Sequence, residues 1–115
     1  MKIGALKEIF IGEQRVALTP ESAAQLQKLG HECMIEKGAG KAAGFSAAQY
    51  KAAGVVVAAT AAALTKASDL IVKVRPPSEA EVKRLSATKT LISLFYPSEN
   101  TTLMELAQSK GASII

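Results

Sequence analysis

Lys73 and Arg75 lie two residues apart in the run Asp69-Leu-Ile-Val-Lys-Val-Arg-Pro-Pro77, so an extended backbone turns both cations to one face. The run reads as a strand because a β-branched apolar stretch without a polar face suits burial on both sides, and Pro76-Pro77 then removes ladder donors. Open α/β sheets place their ligand crevices outside the carboxyl ends of the strands, where this pair falls. Arg15, in the polar loop Gly12-Glu-Gln-Arg15, and Tyr96, ending the run from Thr90, are the other candidates. A guanidinium presents a planar fork that matches a carboxylate or phosphate, and a tyrosine adds a neutral hydroxyl donor. If the first strand is central, Arg15, Lys73, Arg75 and Tyr96 converge on one sheet edge and line a cleft. The bland reading stands beside it on equal terms: Arg15 and Arg75 as solvated charges, Tyr96 as a core ring with a wet tip.

A second constellation is weaker. Gly38-Ala-Gly40-Lys-Ala-Ala43 satisfies the loose pattern G-x-G-x-x-[GA], which in a dinucleotide-binding unit brings a pyrophosphate to a helix amino terminus. Phe45-Ser46 rather than Gly40 opens the next helix, and no acid stands about 20 residues on to hold a ribose. A plain tight turn is the favoured reading. Lys41 has neither a glycine six positions before it nor a Ser or Thr after it, which excludes a Walker loop. Cys33 is the only cysteine and His31 the only histidine, so neither an intrachain disulfide nor a conventional zinc set can form. A reducing compartment fits best. His31 and Glu32 read as surface residues opening an edge strand, and Cys33 and Met34 as packing.

The elements that must position these groups alternate along the chain. Strands are expected over Lys2 to Lys7, Glu32 to Glu36, Val55 to Val57, Leu70 to Arg75 and Thr90 to Tyr96, with another starting at Ala112. Thr19 caps a helix with Pro20 at its first position, Glu21 in its first turn, a stripe of Ala23, Leu26 and Leu29, and Gly30 at its end. Phe45 and Tyr50 flank Ser46 at the spacing of a hydrophobic staple, and Gly54 closes the short helix that follows. Thr60 to Ala67 supplies one or two helical turns. Ser78-Glu-Ala-Glu81 is a capping box ahead of a helix whose inner face carries Val82 and Leu85. After Pro97, Ser98 or Asn100 caps a helix bearing Leu103, Met104, Leu106 and Ala107, which Gly111 ends.

Strands alternating with amphipathic helices imply a doubly wound, mainly parallel α/β sheet with helices on both faces, flavodoxin- or Rossmann-like. The 115 residues support one domain with a modest core. The net charge of +4 is dispersed among 10 acids, without a basic run or many aromatics on which bases could stack, so nucleic acid is not an expected partner. The amino terminus is too short for a secretory apolar region, and the Ala-rich stretch from Ala52 to Thr65 falls short of the about 20 apolar residues that a membrane helix needs. Ser113-Ile-Ile115 ends mid-pattern, and a longer natural chain is expected.

Met1-Lys-Ile-Gly, Glu13-Gln-Arg15-Val-Ala-Leu-Thr-Pro20, Leu29-Gly-His-Glu32, Gly38-Ala-Gly40, Ala52-Ala-Gly54 and Asp69-Leu-Ile-Val-Lys-Val-Arg-Pro76 occur in an order that covers the chain. Together they resemble the amino-terminal domain shared by alanine dehydrogenases and the alpha subunit of proton-translocating NAD(P) transhydrogenase. The resemblance implies that residues 1–115 form a single amino-terminal domain that does not itself bind nucleotide. That domain would pack against an NAD-binding domain absent from this sequence. It further implies that Arg15 matches an anion-binding arginine of alanine dehydrogenases, while Arg75 and Tyr96 replace their lysine and catalytic histidine. Tyr, with an unperturbed pKa of about 10, is a poor substitute for a proton shuttle titrating near neutrality. With Glu13-Gln-Arg15 and Val74-Arg75-Pro-Pro77, these departures favour the transhydrogenase branch.

That branch implies hydride transfer from NADH to NADP+ coupled to proton movement across a membrane. NAD(H) would sit on the first component, NADP(H) on a partner component, and the proton path in a membrane component. It implies a homodimer of first components, a place on the cytoplasmic side of the inner membrane, and no catalytic residue or metal in this stretch. Hydride transfer needs two aligned nicotinamides and no protein nucleophile, so the expected role is scaffold. The alternatives are an alanine dehydrogenase-like enzyme, more distantly a saccharopine dehydrogenase-like one, or a stand-alone module binding a small anion or a protein at Arg15, Lys73 and Arg75.

Overall fold

Short apolar runs separated by capped helices build a sheet in which every strand pair is parallel. The computed structural model describes residues 1–10, 12–75, 78–86, 89–93 and the backbone of 113–114. In chain order these give β1 (Lys2–Ala5), α1 (Pro20–Lys28), β2 (Glu32–Glu36), a 3-10 turn (Lys41–Ala43), α2 (Ala47–Ala52), β3 (Val56–Ala58), α3 (Ala61–Ala67), β4 (Leu70–Lys73), α4 (Glu79–Lys83), β5 (Thr90–Ser93) and β6 (Ser113–Ile114). The order across the sheet is β3-β2-β1-β4-β5-β6. β1 is therefore central, with Ala5 level with Ile35 of β2 on one side and with Val72 of β4 on the other. The chain winds outward from β1 in both directions, so the switch point of this sheet lies between β1 and β4.

Alternation along the central strands divides the core into two layers. Ala5, Cys33 and Ile35 point to the side of Leu18, Ala23, Tyr50 and Val55, where α1 and α2 lie. Leu6 and Ile71 point to the other side and pack with Leu64, Val82, Leu85 and Leu91. Leu64, Ile71 and Leu91 are wholly buried, and each such side chain contributes about 1.5 to 3 kcal/mol relative to exposure. Helices on both faces of a parallel sheet are the expected doubly wound fold.

Local chemistry sets the helix starts. Thr19 Oγ1 accepts from the Ser22 amide and Ser22 Oγ accepts from the Thr19 amide, a reciprocal cap with Pro20 behind it. Ser46 pairs in the same way with Gln49, and Ser78 with Glu81. The staple over Ser46 forms, with the Phe45 and Tyr50 rings edge to face at 6.3 Å. Lys89 reaches the carbonyls of Lys66 and Ser68 at the carboxyl end of α3, supplying donors where a helix leaves acceptors unmet.

Some expectations shift. β2 is not an edge strand, because β3 pairs outside it and takes the edge. Leu29 leaves the expected stripe and is 75% exposed, since α1 stops at Lys28 and Leu29 is its carboxyl cap before Gly30 turns with φ at +95°. The strand carrying Lys73 ends at that residue rather than at Arg75, because the next two amides bond to a side chain instead of a neighbouring strand. Tyr96, Pro76-Pro77 and the helix expected after Asn100 lie outside the described residues.

Candidate functional site

The loop that follows β1 crosses the carboxyl end of β4 and is fastened there by Glu8. Its Oε2 accepts from the Val74 amide at 2.9 Å, while Oε1 accepts from the Arg75 amide at 2.9 Å and from Lys73 Nζ at 3.2 Å. A carboxylate thus takes the place of the neighbouring strand that those amides would otherwise need. Lys73 Nζ also lies 3.5 Å from Glu81 Oε1, which accepts from the Ser78 amide in the α4 capping box. One ammonium ties together the β1 loop, the end of β4 and the start of α4. Lys73 is 1% exposed, so it stands behind the rim of the sheet edge rather than on it.

Arg15 and Arg75 come together on the rim through Glu13. Arg15 Nε donates to Glu13 Oε2 at 2.9 Å and Nη2 to Oε1 at 2.8 Å, a two-pronged pairing to which the Arg15 amide adds a bond at 3.1 Å. Arg75 Nε donates to the same Oε1 at 2.8 Å, and its guanidinium carbon sits 4.3 Å from the centre of the Phe10 ring. Donors on three sides hold the Glu13 carboxyl well below the usual carboxylate range, the Arg15 side chain contributing most. Arg15 in turn is pushed up, chiefly by the bond to Glu13. The Glu13 side chain is only 3% exposed, whereas the Arg15 and Arg75 side chains remain 55% and 35% exposed.

Three of the four candidate residues, Arg15, Lys73 and Arg75, therefore meet at the switch point; Tyr96 lies outside the described residues. Three acids that the sequence reading did not place among the site residues, Glu8, Glu13 and Glu81, accompany them. The cationic groups are matched carboxylate by carboxylate. Glu81 had a legible local signal in its capping box, but nothing local tied Glu8 or Glu13 to positions 62 or more residues away.

Beside this cluster, a cleft of about 1020 Å³ lies beyond β2 and β3, lined by Ile35, Gly38, Gly40, Phe45, Tyr50 and Val57. It contains the glycine-rich turn, whose geometry does not suit a pyrophosphate. A Cβ on Gly40 would stand 2.5 Å from Tyr50 Cε2, so this glycine makes room for a ring rather than for a ligand. Three residues of 3-10 turn, not a helix, follow it. The turn is the plain one expected. Tyr50 is buried with its hydroxyl donating to the Leu18 carbonyl at 2.7 Å, and desolvation pushes its ionisation up to about 12. Cys33 is a buried free thiol, also pushed up by desolvation, which suits packing rather than reactivity.

Against known families, residues 4–115 match the alanine dehydrogenase/PNT amino-terminal domain. The chain belongs to this family. Over all 115 residues it is 59% identical to the NAD(P) transhydrogenase subunit alpha of Cereibacter sphaeroides and 41% identical to the alanine dehydrogenase of Halomonas elongata. It spans 22% of the first relative's length and 31% of the second's. Among solved structures, the transhydrogenase of Sinorhizobium meliloti superposes over 99% of this chain and 34% of its own, with a TM-score of 0.91 at 31% identity. The Rossmann-like fold and the family reading of the sequence agree with both kinds of comparison. No helix among the described residues is long and apolar enough to cross a membrane.

Proposed function

We propose that the chain is the amino-terminal domain of the NAD(H)-binding component of a proton-translocating NAD(P) transhydrogenase. The observation that carries this is the identity across the whole domain, 59% to a transhydrogenase alpha subunit against 41% to an alanine dehydrogenase. The site geometry supports it. Each cation at the switch point is bound to a carboxylate of the same chain, which suits a fixed wall beside a reaction more than an acid or base taking part in it.

In this reading the full protein transfers hydride from NADH to NADP+, leaving NAD+ and NADPH, and couples the transfer to proton movement. The nicotinamides supply the hydride chemistry when bound; they need close, aligned approach rather than a protein nucleophile. The present residues act as a rigid half-shell. The Glu8 and Glu13 anchors hold the β1 loop, and the rim formed by Arg15, Arg75 and Phe10 walls one side of a cleft whose opposite wall is an NAD-binding domain outside this sequence. The partners are that domain, a second copy of the first component, and the NADP(H)-binding and membrane components, with the assembly on the cytoplasmic side of the inner membrane.

Titrating NADH into the 115-residue chain while following its fluorescence tests the division of labour. No saturable binding is expected, and micromolar binding would refute it. The alanine dehydrogenase reading has its own support in the 41% relative. NADH oxidation by the full-length protein that requires both pyruvate and ammonium, abolished by Arg15→Ala, would establish it in place of the transhydrogenase.

A further inference from the structure

The cleft beyond β2 and β3 separates its chemistry by depth. Its floor is apolar: Ile35 and Tyr50 are buried, Phe45 and Val57 are half-buried, and the Tyr50 hydroxyl is already bonded to the Leu18 carbonyl. Its mouth carries Lys7, Lys37 and Lys41, all exposed, against the single carboxylate of Glu36. That carboxylate accepts from the Lys7 amide at 2.9 Å, and among the described residues no ion pair joins any of the three ammoniums to an acid. The cations at the switch point are matched by carboxylates, and these are not. Lys7 Nζ lies over the glycine turn, 3.8 Å from where a Cβ on Gly38 would stand, which holds its charge above one wall of the cleft.

We infer that this cleft is a small-molecule site for an organic anion with a flat apolar body, the body lying on Phe45 and Val57 and the anionic group held at the mouth by Lys7, Lys37 and Lys41. Its volume of about 1020 Å³ stands at the upper end of the about 300 to 1,000 Å³ usual for such sites, which are mostly apolar with a few polar groups that fix orientation. Charge decides the class of occupant. Three like charges around one opening repel one another, a cation would add to that repulsion, and an anion relieves it. A floor without a free hydrogen-bonding side chain leaves the inner part of the ligand apolar, because a polar group placed there would lose its water without replacement. The inference goes beyond the transhydrogenase reading and uses neither NADH nor the Arg15 rim, so either can fail without the other.

The test is a titration of the 115-residue chain with 2-naphthoate, followed by the backbone amide shifts in NMR. Saturable shifts centred on Gly38, Gly40, Phe45 and Tyr50 are expected, with a Kd of about 1 mM or tighter for a ligand of this size. The neutral isostere 2-naphthamide should bind about tenfold more weakly, since each exposed ion pair contributes a factor of up to about five. The variant Lys7→Gln/Lys37→Gln/Lys41→Gln should lose naphthoate affinity by a similar factor. Lys28→Gln/Lys66→Gln/Lys83→Gln removes equal charge from exposed positions in the last turns of α1, α3 and α4 and should leave the affinity unchanged. All six lysines are exposed, so both variants keep the packed core. Equal affinity for naphthoate and naphthamide would overturn the inference, as would an equal loss in the two triple variants, shifts centred elsewhere, or no saturable shift. Shifts at the same four amides on dilution of the ligand-free chain would give the cleft to a second copy of this chain and overturn it as well.

Discussion

Glu8→Ala should be among the most damaging single changes to this domain, although residue 8 lies outside every helix and strand. Its carboxylate is 3% exposed and accepts three bonds, from Lys73 Nζ at 3.2 Å and from the Val74 and Arg75 amides at 2.9 Å each. Removing one partner of a buried ion pair costs about 3 to 5 kcal/mol, because the remaining charge is left without compensation. Two amide bonds to a carboxylate, counted alone, would contribute about 1.5 to 3 kcal/mol each. These figures overlap, since one local rearrangement of the β1 loop admits water to all three donors. Glu81 also remains 3.5 Å from the ammonium. The net loss should therefore be about 3 to 5 kcal/mol rather than the sum, a large share of the about 5 to 15 kcal/mol typical of a domain. Urea denaturation followed by circular dichroism at pH 7 measures it. The double variant Glu8→Gln/Lys73→Met should lose less than the sum of its two single variants, because removing both partners strands no charge between them. A loss below about 1 kcal/mol, with an additive double variant, would mean that Glu8 behaves as a solvated carboxylate and that the clamp reasoning fails.

Three further outcomes follow from the same structure. Gly40→Ala places a Cβ 2.5 Å from the Tyr50 ring and should cost about 1 to 3 kcal/mol through overpacking. Ring displacement should also lower the Tyr50 ionisation from about 12 toward the ordinary 10, read from absorbance at 295 nm; an unchanged midpoint would show that the ring had not moved. Gly4→Ala sets a Cβ 2.1 Å from Ser68 Oγ and 2.9 Å from Leu64 Cδ2, so it should unfold the domain at lower urea, and adding Ser68→Gly should recover part of the loss. Failure of that second change to help would place the strain elsewhere. Because the Glu13 carboxyl is depressed in the folded state, its stabilisation is present above the unfolded value of about 4.3 and is lost as pH falls below it. The difference in urea midpoint between wild type and Glu13→Gln should hold steady from about pH 8 to 5 and shrink only below about pH 4; shrinkage above pH 5 would contradict the ion pairing.

The fold was largely legible because its signals are local. Thr19-Pro20, Ser46 with its staple, and Ser78-Glu-Ala-Glu81 each fix a helix start within a few residues, and each forms as read. The run at Leu70 needed only its lack of a polar face to be read as a strand, and it forms one that pairs on both sides. Lateral order was harder to read. Whether β2 or β3 takes the edge depends on which neighbour covers which, and the three exposed-to-buried residues of β3 carry no marker for it. Leu29 was misplaced for a related reason, since a helical stripe is an average over turns and the last residue of the pattern falls where the chain already leaves the helix.

The site was legible in its cations and not in its anions. Lys73 and Arg75 stand out because charge in an apolar strand is unusual, and Arg15 because it punctuates a loop. Glu8 and Glu13 are ordinary loop acids until the topology brings residues 62 to 67 positions apart into hydrogen-bond range. Period-2 alternation put Lys73 and Arg75 on one face, yet it could not tell that one ammonium would be sealed between two carboxylates while the neighbouring guanidinium stayed on the rim. That difference turns on depth. A compact ammonium with three donors can be satisfied inside by Glu8 and Glu81, whereas the planar fork of Arg75 can bond Glu13, stack on Phe10 and still keep part of its surface in water. Position 73 is thus a structural tie and position 75 a partly exposed ion pair on the rim, so substitutions at Lys73 should cost more stability than those at Arg75.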